Sequence, residues 1–250
     1  LLAALNGRII NKAWGFQIDE GYHRDSCLMV MGSEGRGEQI LKTDQDNGLI
    51  LADGLEWPDC AEQMQRLTET LIELGYPPCP GNIMVSNPEW VGTVKQWHAR
   101  IARWAEKRDG DSLMKLAIML DSHAVAGNPA LLDRVRDELF ERCAGDELLL
   151  SYFARTILRF STPLTLFGSL KRPQHGIDIK KGGIFPIVHG VRVMALERRI
   201  RPTSTLERLD ALAADGRLEP SFAEDLGEAL SLFTELRLKQ QFVNDTATTE

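Results

Sequence analysis

The stretch Leu28 to Leu51 reads Leu-Met-Val-Met-Gly-Ser-Glu-Gly-Arg-Gly-Glu-Gln-Ile-Leu-Lys-Thr-Asp-Gln-Asp-Asn-Gly-Leu-Ile-Leu, and the fold turns on it. An apolar run, Leu28 to Met31, breaks at Gly32-Ser33. A polar, glycine-rich segment follows, and a second apolar run, Leu49 to Leu51, begins just after the pair Asp44 and Asp46. The pattern predicts strand, loop, strand. Side chains two apart on a strand point to the same side, so Asp44 and Asp46 share a face roughly 6.6 Å apart along the chain, while Gln45 faces the other way. Two carboxylates at ~5 Å oppose each other by about 3 kcal/mol at an effective dielectric near 20, and a cation reverses that sign. Oxygen donors without nearby Cys or His suit a hard divalent ion, Mg²⁺ first, which leaves coordination places for phosphates. The preceding segment supplies matching phosphate donors. Gly32, Gly35 and Gly37 allow close backbone approach, and Ser33, Arg36 and Lys42 can donate to phosphate oxygens.

Working outward, the composition is that of an ordinary globular protein, with 43% hydrophobic and 26% charged residues over 250 positions. A net charge of −7 argues against a general nucleic-acid coat. No apolar run approaches the 18 residues of a membrane span. Cys27, Cys60, Cys79 and Cys143 are widely spaced and lack a Cys-x-x-Cys pair, which favours reduced thiols in a cytoplasmic protein. Cys79, beside prolines, lacks a partner thiol or His in sequence reach and gives little support for redox chemistry.

Leu1 to Trp14 carries apolar residues at helical spacing, and Cys60 to Leu74 predicts an amphipathic helix ending at Gly75. Asn82 to Val85 reads as a short third strand. Pro88 to Lys107 reads as one helix whose stripe of Trp90, Trp97 and Trp104 is core. The apolar run Leu116 to Leu120 delivers Asp121, which alone could be a helix cap or surface residue. Beyond Gly127, Pro129 to Cys143, Asp146 to Phe160, Arg201 to Ala214 and Pro220 to Phe242 are helical patterns that predict an all-α bundle. Within that half, Asp178, Lys180 and Lys181 precede Gly182 and Gly183. These read either as a loop donating Lys180 and backbone N–H groups to phosphates or as a lead into a buried helix. His175 and His189 have no nucleophile pattern around them and read as structural.

Gly32-Ser33 followed by Asp44-x-Asp46 resembles the signature of the DNA polymerase β-like nucleotidyltransferase superfamily. The fuller strings Gly-Ser-Glu-Gly-Arg-Gly-Glu-Gln and Thr-Asp-Gln-Asp-Asn resemble one branch of it, bacterial nucleotidyltransferase-like proteins related to the PII uridylyltransferases and glutamine synthetase adenylyltransferases. The resemblance implies an α+β fold, with a small mixed-sheet nucleotidyltransferase core over residues 1–126 and an α-helical bundle domain over 127–250. It implies two Mg²⁺ ions held by Asp44, Asp46 and Asp121, with Asp178 as reserve for the third carboxylate and Asp121 near the acceptor hydroxyl. It also implies a triphosphate tail on Gly32 and Ser33, with Arg36, Lys180, Gly182 and Gly183 as further nucleotide contacts. Ser122 and His123 stand where relatives commonly carry an Arg-containing segment, which makes His123 the candidate substitute donor. The expected donor is a nucleoside triphosphate and the expected acceptor a hydroxyl on a signalling protein. Members of the branch are usually joined to CBS and cyclic-nucleotide-binding modules; a chain opening at Leu1 reads as a fragment with such modules upstream. The rival classes are a non-catalytic nucleotide sensor and a metal-dependent phosphohydrolase, the latter leaving the Gly-Ser segment without a special role.

Overall fold

The computed structural model describes residues 2–40, 44–159 and 178–247. The chain divides into two compact units, Leu1–Cys143 and Ala144–Glu250.

In the first unit, helix α1 (Leu2–Gln17) forms where its spacing predicts and buries Asn6, Ile10, Ala13 and Trp14, whereas Leu2 and Leu5 of the expected apolar stripe are exposed. A short turn, α2 (Glu20–His23), is capped by Asp19, whose side chain accepts from Gly21 N. Strand β1 (Ser26–Val30) has all five residues buried, as a continuous apolar run requires of a central strand. The segment after it is a helical turn, α3 (Gly32–Gly35), where the glycines had predicted open loop. Strand β2 (Asn47–Leu51) pairs antiparallel with β1, Leu28 opposite Leu49 and Val30 opposite Asn47. Helix α4 (Cys60–Glu73) then buries Met64, Leu67, Thr68 and Leu71.

Two expectations fail next. Residues 82–85 do not form the third strand. Asn47 takes their hydrogen bonds, its N–H donating to Ile83 O and its Oδ1 accepting from Val85 N, and Asn82 adopts φ +54°. The third strand is β3 (Val91–Thr93), parallel to β2, inside the range expected to be one helix. Helix α5 (Val94–Lys107) begins only after Thr93, which forms a capping box with Gln96. The heptad spacing of Trp90, Trp97 and Trp104 suggested a single helix, yet Trp90 lies in a 3₁₀ turn, and the three rings meet at centroid distances of 6.0–6.4 Å. The stripe is core, as expected. Helix α6 (Gly110–Leu120), capped by Asp109, leads into β4 (His123–Gly127), which pairs antiparallel with β1. Helix α7 (Pro129–Cys143) packs on α5 and β1, so the first unit runs on to Cys143 instead of ending at 126. Among the described residues the sheet is mixed, in the order β3-β2-β1-β4. One face meets α1 and α4 through Leu28, Val30 and Leu49, and α5 approaches through Trp97, whose Nε1 donates to Leu49 O.

The second unit is helical: α8 (Glu147–Arg155), α9 (Phe185–Glu197), α10 (Thr205–Ala214) and α11 (Pro220–Ala247). Val191, Leu209, Leu212 and Ala223 form part of its core. His189 is buried in near-parallel contact with both Phe153 and Phe185; one ring nitrogen meets Phe153 O at 2.9 Å, and Nδ1 faces Arg192 Nη1 at 2.9 Å. Both nitrogens are engaged, so His189 is structural, as expected. His175 lies outside the described residues. The α+β core followed by a helical unit is the fold class the sequence predicts.

Candidate nucleotide site

The site begins where β1 ends. Met31 N donates to Asp46 O at 2.8 Å, extending the β1–β2 pairing by one rung and bringing the two halves of the sequence motif together. The chain then turns sharply at Gly32, with φ +60°. A Cβ built there would lie 2.6 Å from Asp46 Oδ2, so only glycine lets this carboxylate rest against the start of the turn. Ser33 follows, half-buried, and its carbonyl accepts from Glu38 N.

Asp44 and Asp46 sit ahead of β2 instead of within it, but the alternation holds: Asp44 is exposed, Gln45 buried and Asp46 half-buried. What fixes Asp46 is its neighbours, which sequence reading did not single out. Gln45 N donates to Pro77 O, and Gln45 Nε2 donates to Thr68 O and Tyr76 O. On the other side, Asn47 makes the bonds to residues 83 and 85 described above. Two buried amides therefore pin the backbone on either side of Asp46. The only advance signal was composition, an amide at each position flanking Asp46.

Two further groups border Asp46. The Cys79 thiol hydrogen-bonds to it and is pushed up to about 11, first by burial and then by that carboxylate, so it stands as a neutral thiol. Glu34 is 8% exposed and its Oε1 has no hydrogen-bond partner. Burial, then the charge of Asp46, raises its pKa to about 7.

Asp121 and Arg36 take an arrangement that the sequence did not suggest. Asp121 caps α6 and is fully buried. Arg36 Nη1 donates to Asp121 Oδ2 at 2.6 Å, and its Nε donates to Glu38 Oε2 at 2.7 Å. Burial alone would lower the guanidinium's pKa; the charges of Asp121 and then Glu38 more than reverse this. The charge of Asp121 is thus already met by a cation. A dication brought to the same oxygen would face Arg36 with a repulsion of roughly 8 kcal/mol at ~4 Å and an effective dielectric near 20. Among the described residues, no three His, Cys, Asp or Glu side chains converge as a metal cage. Asp44 and Asp46 fit a Mg²⁺ ion that takes one or two carboxylates and completes its shell with phosphates and water. Asp121 is paired with Arg36 where the third ligand was expected.

Of the remaining expected residues, His123 is an exposed residue of β4, and Lys42 lies outside the described residues. In the second unit, Lys180 to Gly183 belong to a π-helical turn (Lys180–Ile184) that runs into α9. Lys180 and Lys181 are exposed, and Asp178 is held locally, its Oδ1 accepting from Lys181 N. A Cβ at Gly183 would lie 2.9 Å from the Phe233 ring, which gives that glycine a packing role. The same unit bears a cleft of about 550 Å³ whose lining includes Glu147, Ser151, Ile157, Met194 and Arg217.

The family model described as "Putative nucleotidyltransferase DUF294" matches residues 1–111, and the one described as "Putative nucleotidyltransferase substrate binding domain" matches residues 147–249. The chain is a nucleotidyltransferase-like protein. The first match spans β1, the Gly-Ser turn and both Asp44 and Asp46, and the second spans the helical unit from α8 onward. No curated protein matches the sequence. Among the described residues, no helix of this nucleotidyltransferase-like protein is long and apolar enough to cross a membrane.

Proposed function

We propose that the protein is a Mg²⁺-dependent nucleotidyltransferase that moves UMP or AMP from a nucleoside triphosphate to a hydroxyl, with a signalling protein as acceptor. The observation that supports this reading is the contact at Gly32: Asp46 Oδ2 lies against the first residue of the Gly-Ser turn, which suits a carboxylate that holds a metal beside a turn that seats phosphate. Asp44 and Asp46 would hold the ion, and when bound it supplies charge neutralisation to the triphosphate. Gly32 and Ser33 seat the triphosphate tail and orient it, which is most of what such transfers ask of a protein. In the transfer, the acceptor oxygen bonds to the α-phosphorus and the bond to the α–β bridging oxygen breaks. Pyrophosphate leaves, and the hydroxyl proton passes to the exposed carboxylate of Asp44 and on to water. The second unit takes the acceptor, with its cleft and the exposed Lys180 and Lys181 as the candidate surface. CBS or cyclic-nucleotide-binding partner modules fit the same signalling role.

The test is pyrophosphate release with Mg²⁺ and each of ATP, UTP, GTP and CTP, in extract that supplies acceptors, for this chain and its Asp44→Asn/Asp46→Asn variant. Release that needs both aspartates and prefers one nucleotide is expected; phosphate release in its place would make the protein a phosphohydrolase. One observation favours a nucleotide-sensing module as the second reading, namely the engagement of Asp121 by Arg36. Mg²⁺-dependent nucleotide binding without pyrophosphate release would select it.

A further inference from the structure

The turn that carries Gly32 and Ser33 is fastened at its far end by two independent contacts. The first is backbone packing. A Cβ at Gly35 would lie 2.0 Å from Asp121 O and 2.7 Å from Val30 O, so the turn seats directly on the junction between α6 and β4 and on the end of β1. The second is the ion pair. The next residue, Arg36, reaches the same Asp121 through Nη1 at 2.6 Å and folds back to Glu38 through Nε at 2.7 Å. The side chains of Arg36 and Asp121 are 10% and 0% exposed. Asp121 is itself held by α6, its N–H donating to Ile118 O, and two residues later His123 pairs with Val30 in the sheet. Through its backbone and its carboxylate together, Asp121 thus ties the turn, the end of a helix and the edge of the sheet together.

Building on the reading above, we infer that Arg36 and Asp121 are positioning residues, a buried clamp that fixes the Gly32–Gly35 turn, and are neither a phosphate contact nor a metal ligand. Arg36 commits Nε to Glu38 and Nη1 to Asp121, and Asp121 receives its countercharge from Arg36. The pair therefore acts on the triphosphate through Gly32 and Ser33. A guanidinium with its fork geometry holds both carboxylates at once, which an ammonium does not reproduce.

The experiment uses the whole chain with two probes that need no knowledge of base or acceptor: Mn²⁺ alone, followed by electron paramagnetic resonance, and inorganic tripolyphosphate, followed by calorimetry. Wild type, Asp46→Asn, Asp121→Asn, Arg36→Gln and the double variant Arg36→Gln/Asp121→Asn are compared. The clamp predicts that Asp121→Asn binds Mn²⁺ within about twofold of wild type while Asp46→Asn loses tenfold or more. It predicts that Arg36→Gln and Asp121→Asn each weaken tripolyphosphate binding several-fold, and that the double variant is no weaker than the worse single one, because residues acting as a unit are not additive. The double variant also removes both buried charges, so it keeps the test open where a single variant fails to fold. Loss of Mn²⁺ binding in Asp121→Asn comparable to that in Asp46→Asn would overturn the clamp and restore Asp121 as a ligand. Loss of tripolyphosphate binding in Arg36→Gln alone would overturn it in favour of a direct phosphate contact. A wild-type chain that binds neither probe would sink the nucleotide-site reading and the clamp with it, an outcome distinct from the other two.

Discussion

At the residue scale, the site depends on a glycine that cannot be anything else. Gly32→Ala adds a Cβ 2.6 Å from Asp46 Oδ2 at a backbone angle of φ +60°, so it displaces the carboxylate and strains the turn together. The expected outcome is a loss of at least about 1 kcal/mol of stability and a loss of Mn²⁺ binding that approaches that of Asp46→Asn. Calorimetry and Mn²⁺ titration of the same preparation check both. Glu34 gives a second prediction, one of pH dependence. Its pKa is raised from an ordinary 4.5 to about 7 in the folded state, so the folded protein binds this proton more tightly than the unfolded chain. Its stabilising contribution is complete below pH 4.5 and is lost as pH rises through 7. A shift of that size is worth about 3 kcal/mol. Urea unfolding at pH 5 and pH 8 reads most of it: wild type loses stability over that interval, and Glu34→Gln loses about 2.5 kcal/mol less. Equal losses in the two proteins would remove Glu34 as the cause.

At the element scale, the motif was legible because it is local. Gly32, Ser33, Asp44 and Asp46 stand within one short stretch, and the pattern of an apolar run, glycines and a second apolar run gave β1, β2 and their adjacency. The Arg36–Asp121 pair was not legible. Its partners are 85 positions apart, and nothing in either neighbourhood says that an arginine placed to reach phosphate will turn instead to a helix end. The misread third strand has the same origin. A buried side chain, Asn47, supplied hydrogen bonds to residues 83 and 85 that a sheet would otherwise supply, and sequence patterns do not show where an amide side chain goes. In the second unit, Gly182-Gly183 was ambiguous between phosphate loop and helix lead-in. The π-helical turn and the Phe233 ring against Gly183 give that glycine a packing reason. Gly183→Ala should accordingly lower stability by about 1–3 kcal/mol through overpacking, while Lys180→Ala, at an exposed position, should stay within about 0.5 kcal/mol. Thermal unfolding of the two variants distinguishes them, and a Gly183→Ala protein as stable as wild type would contradict the packing account.

At the scale of the whole molecule, the helical content of the second half was readable from periodicity, but its border was not. Helix α7 is charged and amphipathic like the helices after it, so composition grouped it with them, whereas its apolar face, Leu131, Leu132, Val135 and Leu139, is buried in the unit that ends at Cys143. The function we propose assigns Asp44, Asp46 and the Gly32–Gly35 turn to the first unit, while the second matches a substrate-binding model. The most direct test of the central claim is pyrophosphate release with Mg²⁺ and each nucleoside triphosphate, wild type against Asp44→Asn/Asp46→Asn. The account predicts release that prefers one nucleotide and falls at least a hundredfold, about 2.7 kcal/mol of barrier, in a variant that remains folded. Pyrophosphate release that persists in the folded double variant would contradict it.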